Sequence, residues 1–149
     1  QLFVVRNVAN LVPPYGPDKG LHGVSAALEY AINMLGVPHI VVMGHGGCGG
    51  VAASLASVDN PSLGEFVAPW VRLLDDARDR VLDSKSINPQ YALEVEGIES
   101  SIHNLMSFPF IRDAVEQGKL EIRGAWFAIV HGELHWKNAK RGRIEVVST

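Results

Sequence analysis

The sequence predicts an α/β domain with a mainly parallel central β-sheet flanked by helices. Three observations carry that expectation. Apolar, β-prone runs alternate along the chain with segments whose apolar residues recur at helical spacing, the order that builds parallel strand pairs through crossover helices. A glycine-rich corner, Gly44-His45-Gly46-Gly47-Cys48-Gly49-Gly50, falls between one such strand and the following helix. The 149 residues are 47% hydrophobic and 19% charged, enough apolar material for one substantial core, so residues 1–149 read as a single domain.

Taken in order, Leu2 to Val5 is a short apolar, β-prone run, followed by a loop through Asn7, Asn10 and Pro13-Pro14-Tyr15-Gly16-Pro17. Val24, Ala27, Leu28, Ala31 and Leu35 fall at helical spacing, and Gly36 supplies the stop. Ile40 to Met43 is a strand, and a helix runs on from Val51 through Leu55. A second helical block from Glu65 or Phe66 to about Leu82 places Val67, Trp70, Val71, Leu74, Ala77 and Val81 on one face. Arg72, Asp75, Asp76, Asp79 and Arg80 make its solvated face. Val95, Ile98, Ile102 and Leu105 predict a third helix, and Pro109 starts a short one that Gly118 closes. Leu120 to Gly124 and Ala125 to Val130 read as strands, Gly132-Glu133 as a tight turn into Leu134-His135-Trp136, and Ile144 to Val147 as an edge strand.

Composition narrows the function classes. A net charge of −3 and the lack of a basic stripe argue against a nucleic-acid partner; Lys137, Lys140, Arg141 and Arg143 come closest and read as a solvated turn. The single cysteine rules out an intrachain disulfide and fits a reducing compartment, so a cytoplasmic protein is expected, or one of an organelle stroma or matrix. No apolar run reaches the ~18 residues that a membrane span needs. The chain opens on what reads as strand interior, without a methionine, so a missing N-terminal piece is expected.

The glycine corner carries the chemistry. A neutral imidazole and a thiolate at His-x-x-Cys spacing can share one soft or borderline metal ion, zinc being the commonest. Glycines let backbone approach such an ion closely, and a helix start favours the thiolate at Cys48. Gly44-x-Gly46-x-x-Gly49 also matches the dinucleotide fingerprint, but no strand ending in an acidic residue follows about twenty residues on, where the ribose would need it. A Cys48 nucleophile is a third option, although a thiolate–imidazolium pair usually joins distant segments. His131 and His135 flank a turn and read as an ordinary hairpin pair; Glu99 and His103 read as a helix-surface pair.

Several segments, in this order, resemble the β-class carbonic anhydrases. They are Phe3-Val4-Val5-Arg6-Asn7-Val8-Ala9-Asn10-Leu11-Val12-Pro13, then Leu28-Glu29-Tyr30-Ala31 with Leu35-Gly36-Val37, then His39-Ile40-Val41-Val42-Met43-Gly44-His45-x-x-Cys48-Gly49. Ser101-Ile102-His103-Asn104-Leu105 with Pro109-Phe110, Gly118-Lys119-Leu120 and Gly132-Glu133-Leu134 continue the match, which covers almost all of residues 1–147. The resemblance implies a zinc cofactor with His45 and Cys48 as two of three protein ligands, and a small apolar carbon dioxide pocket lined by Phe3, Val8, Tyr30 and Gly49. It implies reversible hydration of carbon dioxide to bicarbonate by a zinc-bound hydroxide, in a homodimer or larger homo-oligomer. The family's Cys-x-Asp-x-Arg segment, which brings a further zinc cysteine and an Asp-Arg pair, matches no residue here; Asp83-Ser84-Lys85 is a superficial echo. The N-terminal arm and first strand of the family fold are therefore expected to be absent, the catalytic residues stay unassigned, and the chain alone is expected to work poorly. The alternative is a non-catalytic relative that binds an anion or nucleotide at Gly44–Gly50.

Overall fold

The structure is a computed structural model that describes residues 1–18, 20–56, 63–137 and 144–146. Helix α1 (Gly23–Glu29) runs into a wider turn, Tyr30–Met34, closed by the Leu35 N–H donating to the Tyr30 carbonyl at 3.1 Å. Gly36 then takes φ +60, the left-handed stop that its position requires. Strand β1 (His39–His45) leads through the glycine corner into α2 (Gly49–Ala56). The expected single helix of residues 65–82 is interrupted: α3 (Val67–Val71) tightens through a 3-10 turn at Arg72–Leu74 before α4 (Asp75–Asp83). Residues three apart eclipse in a 3-10 turn, and this one sinks Val71 and Leu74 together into the core.

Helix α5 (Pro89–Leu105) is the spine of the fold. Asn88 caps it, its side chain accepting the Tyr91 N–H at 3.1 Å, and Pro89 occupies the first turn where no N–H is needed. After α6 (Pro109–Glu116) come β2 (Glu121–Ala128), β3 (Glu133–Lys137) and β4 (Ile144–Val146). The sheet order is β1-β2-β3-β4. Only β1 with β2 is parallel, Val42 lying opposite Gly124; β2–β3 and β3–β4 are antiparallel. The α/β class therefore holds, but the described sheet is mixed rather than mainly parallel. The short Gly132 turn returns the chain directly beside β2, and no crossover helix separates them.

Two further expectations are corrected. Gly124 does not divide two strands: β2 runs straight through it, and the glycine makes room for Ile98 and Ile102 of α5. A Cβ there would lie 2.9 Å from Ile98 Cγ2. Leu2 to Val5 forms no strand, and its side chains are exposed, Leu2 at 92% and Val4 at 63%. A strand needs a neighbour, and β1 pairs with β2 but with nothing on its other edge among the described residues. Lys140, Arg141 and Arg143 lie outside the described residues, and Lys137 pairs with Glu99.

The core has two parts joined by α5. Leu93 belongs with Ala9, Leu11, Cys48, Val51, Leu74, Ala77 and Val81, between α2 and α4. Ile98 and Leu105 belong with Val12, Val42, Phe108, Ile111 and Leu120, between the sheet and α6. Strand alternation turns Val42 and Gly44 towards α5 and leaves Val41, Met43 and His45 on the exposed face.

Candidate metal centre

His45 is the last residue of β1, at the carboxyl end of a strand where α/β folds place ligands. Its ring is exposed, and Nδ1 donates to the Gly46 carbonyl at 3.1 Å. That bond leaves Nε2 as the basic nitrogen, the arrangement in which an imidazole ligates a metal through its other nitrogen. The Gly46 N–H continues the sheet pairing by donating to the Phe127 carbonyl at 2.9 Å. Gly47 follows with φ +68, a backbone turn that a side chain would oppose.

Cys48 is 5% exposed and packs in the first core cluster with Ala9, Leu11, Val51 and Leu93. Its backbone is held on both sides. The N–H donates to Glu94 Oε1 at 2.9 Å, while its carbonyl accepts from Gln90 Nε2 at 3.0 Å and the Ala52 N–H at 3.0 Å. Glu94, itself only 3% exposed, also accepts from Gln90 Nε2 at 2.8 Å and from Trp126 Nε1 at 3.0 Å. Trp126 stands edge-on to Tyr91 and His135, with ring centroids 4.9 and 5.1 Å away.

The turn Val8–Asn10 presses on the corner from the side. Ala9 and Asn10 both have positive φ, 61 and 48. Asn7 straps the turn, accepting the Leu11 N–H at 2.8 Å and donating to the Leu11 carbonyl at 2.9 Å. Trp70 Nε1 donates to the Val8 carbonyl at 2.8 Å, and Ser101 Oγ donates to the Asn10 carbonyl at 2.9 Å. Gly44 and Gly50 accommodate this approach: a Cβ on Gly50 would lie 2.5 Å from Val8 Cγ1, and one on Gly44 would lie 3.2 Å from Asn10 Oδ1.

Of the expected pocket residues, Phe3 and Tyr30 come together with ring centroids 6.0 Å apart, both partly exposed. Val8 lies beside the start of α2, and Gly49 is exposed, with open space where a Cβ would stand. His135 packs on Trp126, His131 is exposed, and Glu99 pairs with Lys137 rather than His103. Asp83-Ser84-Lys85 merely ends α4, Ser84 Oγ donating to the Val81 carbonyl at 2.7 Å.

The nucleotide alternative loses ground here. The chain goes on from α2 through residues 57–62, outside the described set, into α3 and α4, so no strand precedes those helices among the described residues as a dinucleotide fold requires. A carboxyl group already takes the N–H of Cys48 at the start of α2, where a phosphate would have to bind. For a metal, the donor chemistry of His45 and Cys48 fits zinc, but the number falls short. No group of three or more His, Cys, Asp or Glu side chains that could hold an ion occurs among the described residues.

Sequence reasoning missed Gln90, Glu94 and Trp126. The signal was present in α5, where Glu94 lies on the same stripe as Gly97, Ile98, Ser101 and Leu105, all buried. An acidic residue on an apolar stripe needs an internal partner.

The chain is an α/β domain that brings an imidazole and a thiol to one strand–helix corner. Residues 1–134 match the carbonic anhydrase family profile, and the chain belongs to that family. It is 42% identical over 139 residues to beta carbonic anhydrase 3 of Arabidopsis thaliana, a match covering 89% of this chain and 53% of that protein. The chain thus spans about half the length of that curated relative. Among solved structures it is similar to the β-carbonic anhydrase CcaA, with a TM-score of 0.87 at 29% identity, covering 97% of this chain and 71% of that one. A structure from work on two tetrameric β-carbonic anhydrases of Sordaria macrospora matches with a TM-score of 0.71 at 29% identity, covering 99% and 68%. The resemblance to the β class holds across fold and sequence.

Proposed function

We propose that this chain belongs to a zinc-dependent carbonic anhydrase that interconverts carbon dioxide and bicarbonate, with His45 and Cys48 as two of its zinc ligands. The single observation that carries the reading is the corner itself. It joins an imidazole whose Nδ1 is tied to the Gly46 carbonyl with a cysteine whose backbone is fixed on both sides. Family membership over residues 1–134 supports it. A bound zinc ion would acidify water towards neutrality and so supply a nucleophile for an uncharged, apolar substrate. The chain's own part is to present Nε2 of His45 and the thiol of Cys48, and to offer the apolar surfaces of Phe3, Val8 and Tyr30 near the corner and α1. Among the described residues no third donor joins them in a group that could hold an ion, and residues 1–149 alone are expected to bind zinc weakly and turn over slowly.

A homo-oligomer belongs to the same proposal. Leu2 to Val5, Val41 and Met43 leave apolar surface uncovered, and a second copy is the occupant that the tetrameric relatives suggest.

Metal analysis with stopped-flow carbon dioxide hydration tests the function. Substoichiometric zinc and slow hydration are expected from residues 1–149, with both lost in His45→Ala and Cys48→Ser. Stoichiometric zinc with fast hydration would overturn the impairment; no zinc together with tight phosphate or nucleotide binding would overturn the metal reading.

A further inference from the structure

We propose that Glu94 is a positioning residue for Cys48, a buried clamp that sets the orientation of the thiol before any metal arrives. This rests on the reading of Cys48 as a ligand, but the clamp itself is a property of the chain. Glu94 reaches the Cys48 N–H directly and its carbonyl through Gln90, whose one amide nitrogen spans Glu94 Oε1 and the Cys48 carbonyl at 2.8 and 3.0 Å. Both peptide groups flanking the Cys48 Cα are therefore tied to α5, one turn apart on the same helix. The second carboxyl oxygen takes Trp126 Nε1 from β2, so helix, corner and sheet meet on one side chain.

Three donors converge on Glu94, and among the bonds described it serves only as an acceptor. Stability alone gives no reason to put a carboxyl group 3% exposed on an apolar stripe, where a leucine would pack without desolvation cost. What the carboxyl does there is orient. With an apolar residue at 94 the Cys48 N–H and the Trp126 N–H would both lose their acceptor, and Gln90 would lose its anchor. The turn from Gly46 to Cys48, rich in glycine and without a ladder of its own beyond Gly46, would then be free to rotate.

Cys48 is the one cysteine of the chain, so thiol chemistry reports on it alone. The test measures iodoacetamide alkylation and exchange of the Cys48 amide in the metal-free chain. In Glu94→Leu both should speed up by about tenfold or more, the factor that one lost buried hydrogen bond corresponds to. Glu94→Gln keeps an acceptor for the Cys48 N–H and should fall between wild type and Glu94→Leu. Gln90→Leu, at a half-buried site, should accelerate alkylation by a smaller factor. Leu105→Ala, in the second core cluster, serves as a destabilised control and should leave the alkylation rate near wild type.

Zinc affinity, read by competition with a chromogenic chelator, should fall about 10- to 100-fold in Glu94→Leu. Failure of the wild-type chain to take up zinc would count against the metal reading and leave the clamp to be judged by alkylation and exchange. Wild-type rates in both Glu94→Gln and Gln90→Leu, or equal acceleration in Leu105→Ala, would overturn the clamp.

Discussion

Ile98 sits over two glycines on neighbouring strands, and the atoms it offers to each are different. A Cβ at Gly44 would meet Ile98 Cδ1 at 3.0 Å and Cγ1 at 3.1 Å, while one at Gly124 would meet Cγ2 at 2.9 Å and Ile102 Cδ1 at 3.2 Å. Ile98 is fully buried and β-branched, so it has little freedom to step aside. Overpacking of this kind costs about 1–3 kcal/mol. Replacing a strand glycine by alanine returns about 0.5–1 kcal/mol of backbone entropy. Gly44→Ala and Gly124→Ala should each therefore destabilise by up to roughly 2.5 kcal/mol, up to about 10 °C of melting temperature for a chain of this size. The informative variant is Ile98→Val, which removes Cδ1 but keeps Cγ2. It should relieve part of the cost of Gly44→Ala, with a coupling of about 0.5–1 kcal/mol in a double-mutant cycle, and none of the cost of Gly124→Ala. Urea and thermal melts followed by circular dichroism, at one protein concentration, would measure this. Equal couplings at the two glycines, or a Gly124→Ala variant melting clearly above wild type, would refute the assigned contacts. Because Gly44 directly precedes His45, the same cycle asks whether α5 sets the position of the proposed ligand strand.

Asn88→Ala should cost about 1 kcal/mol through loss of the α5 cap, seen as a lower urea midpoint with an unchanged slope. Sedimentation velocity should find the chain associating, and Val41→Lys with Met43→Lys should shift it towards monomer; a wild-type chain that stays monomeric at high concentration would argue against a self-associating face.

Local rules carried much of the fold. The stripe Val24 to Leu35 with its Gly36 stop, the helix through Ile98 and Leu105, and the Gly118 and Gly132 turns are each written within a few residues. Period, caps and left-handed glycines suffice for them. His45 and Cys48 were visible for the same reason, since a corner between strand and helix is a local pattern. Leu2 to Val5 has every local mark of a strand and still forms none, because a strand's hydrogen bonds belong to its neighbour.

What the sequence by itself determined was the α/β class, much of the element order, and the place of His45 and Cys48 at a strand–helix corner, all properties of short-range spacing. Only the tertiary structure decided that the sheet is mixed, that Gly124 is a seat for Ile98 rather than a break, and that Glu94 holds Cys48 across 46 residues of chain. Those outcomes depend on which surfaces meet. A glycine is read as a turn until a side chain is found pressing on it, and a glutamate as solvent-facing until an N–H with no other acceptor is found beside it.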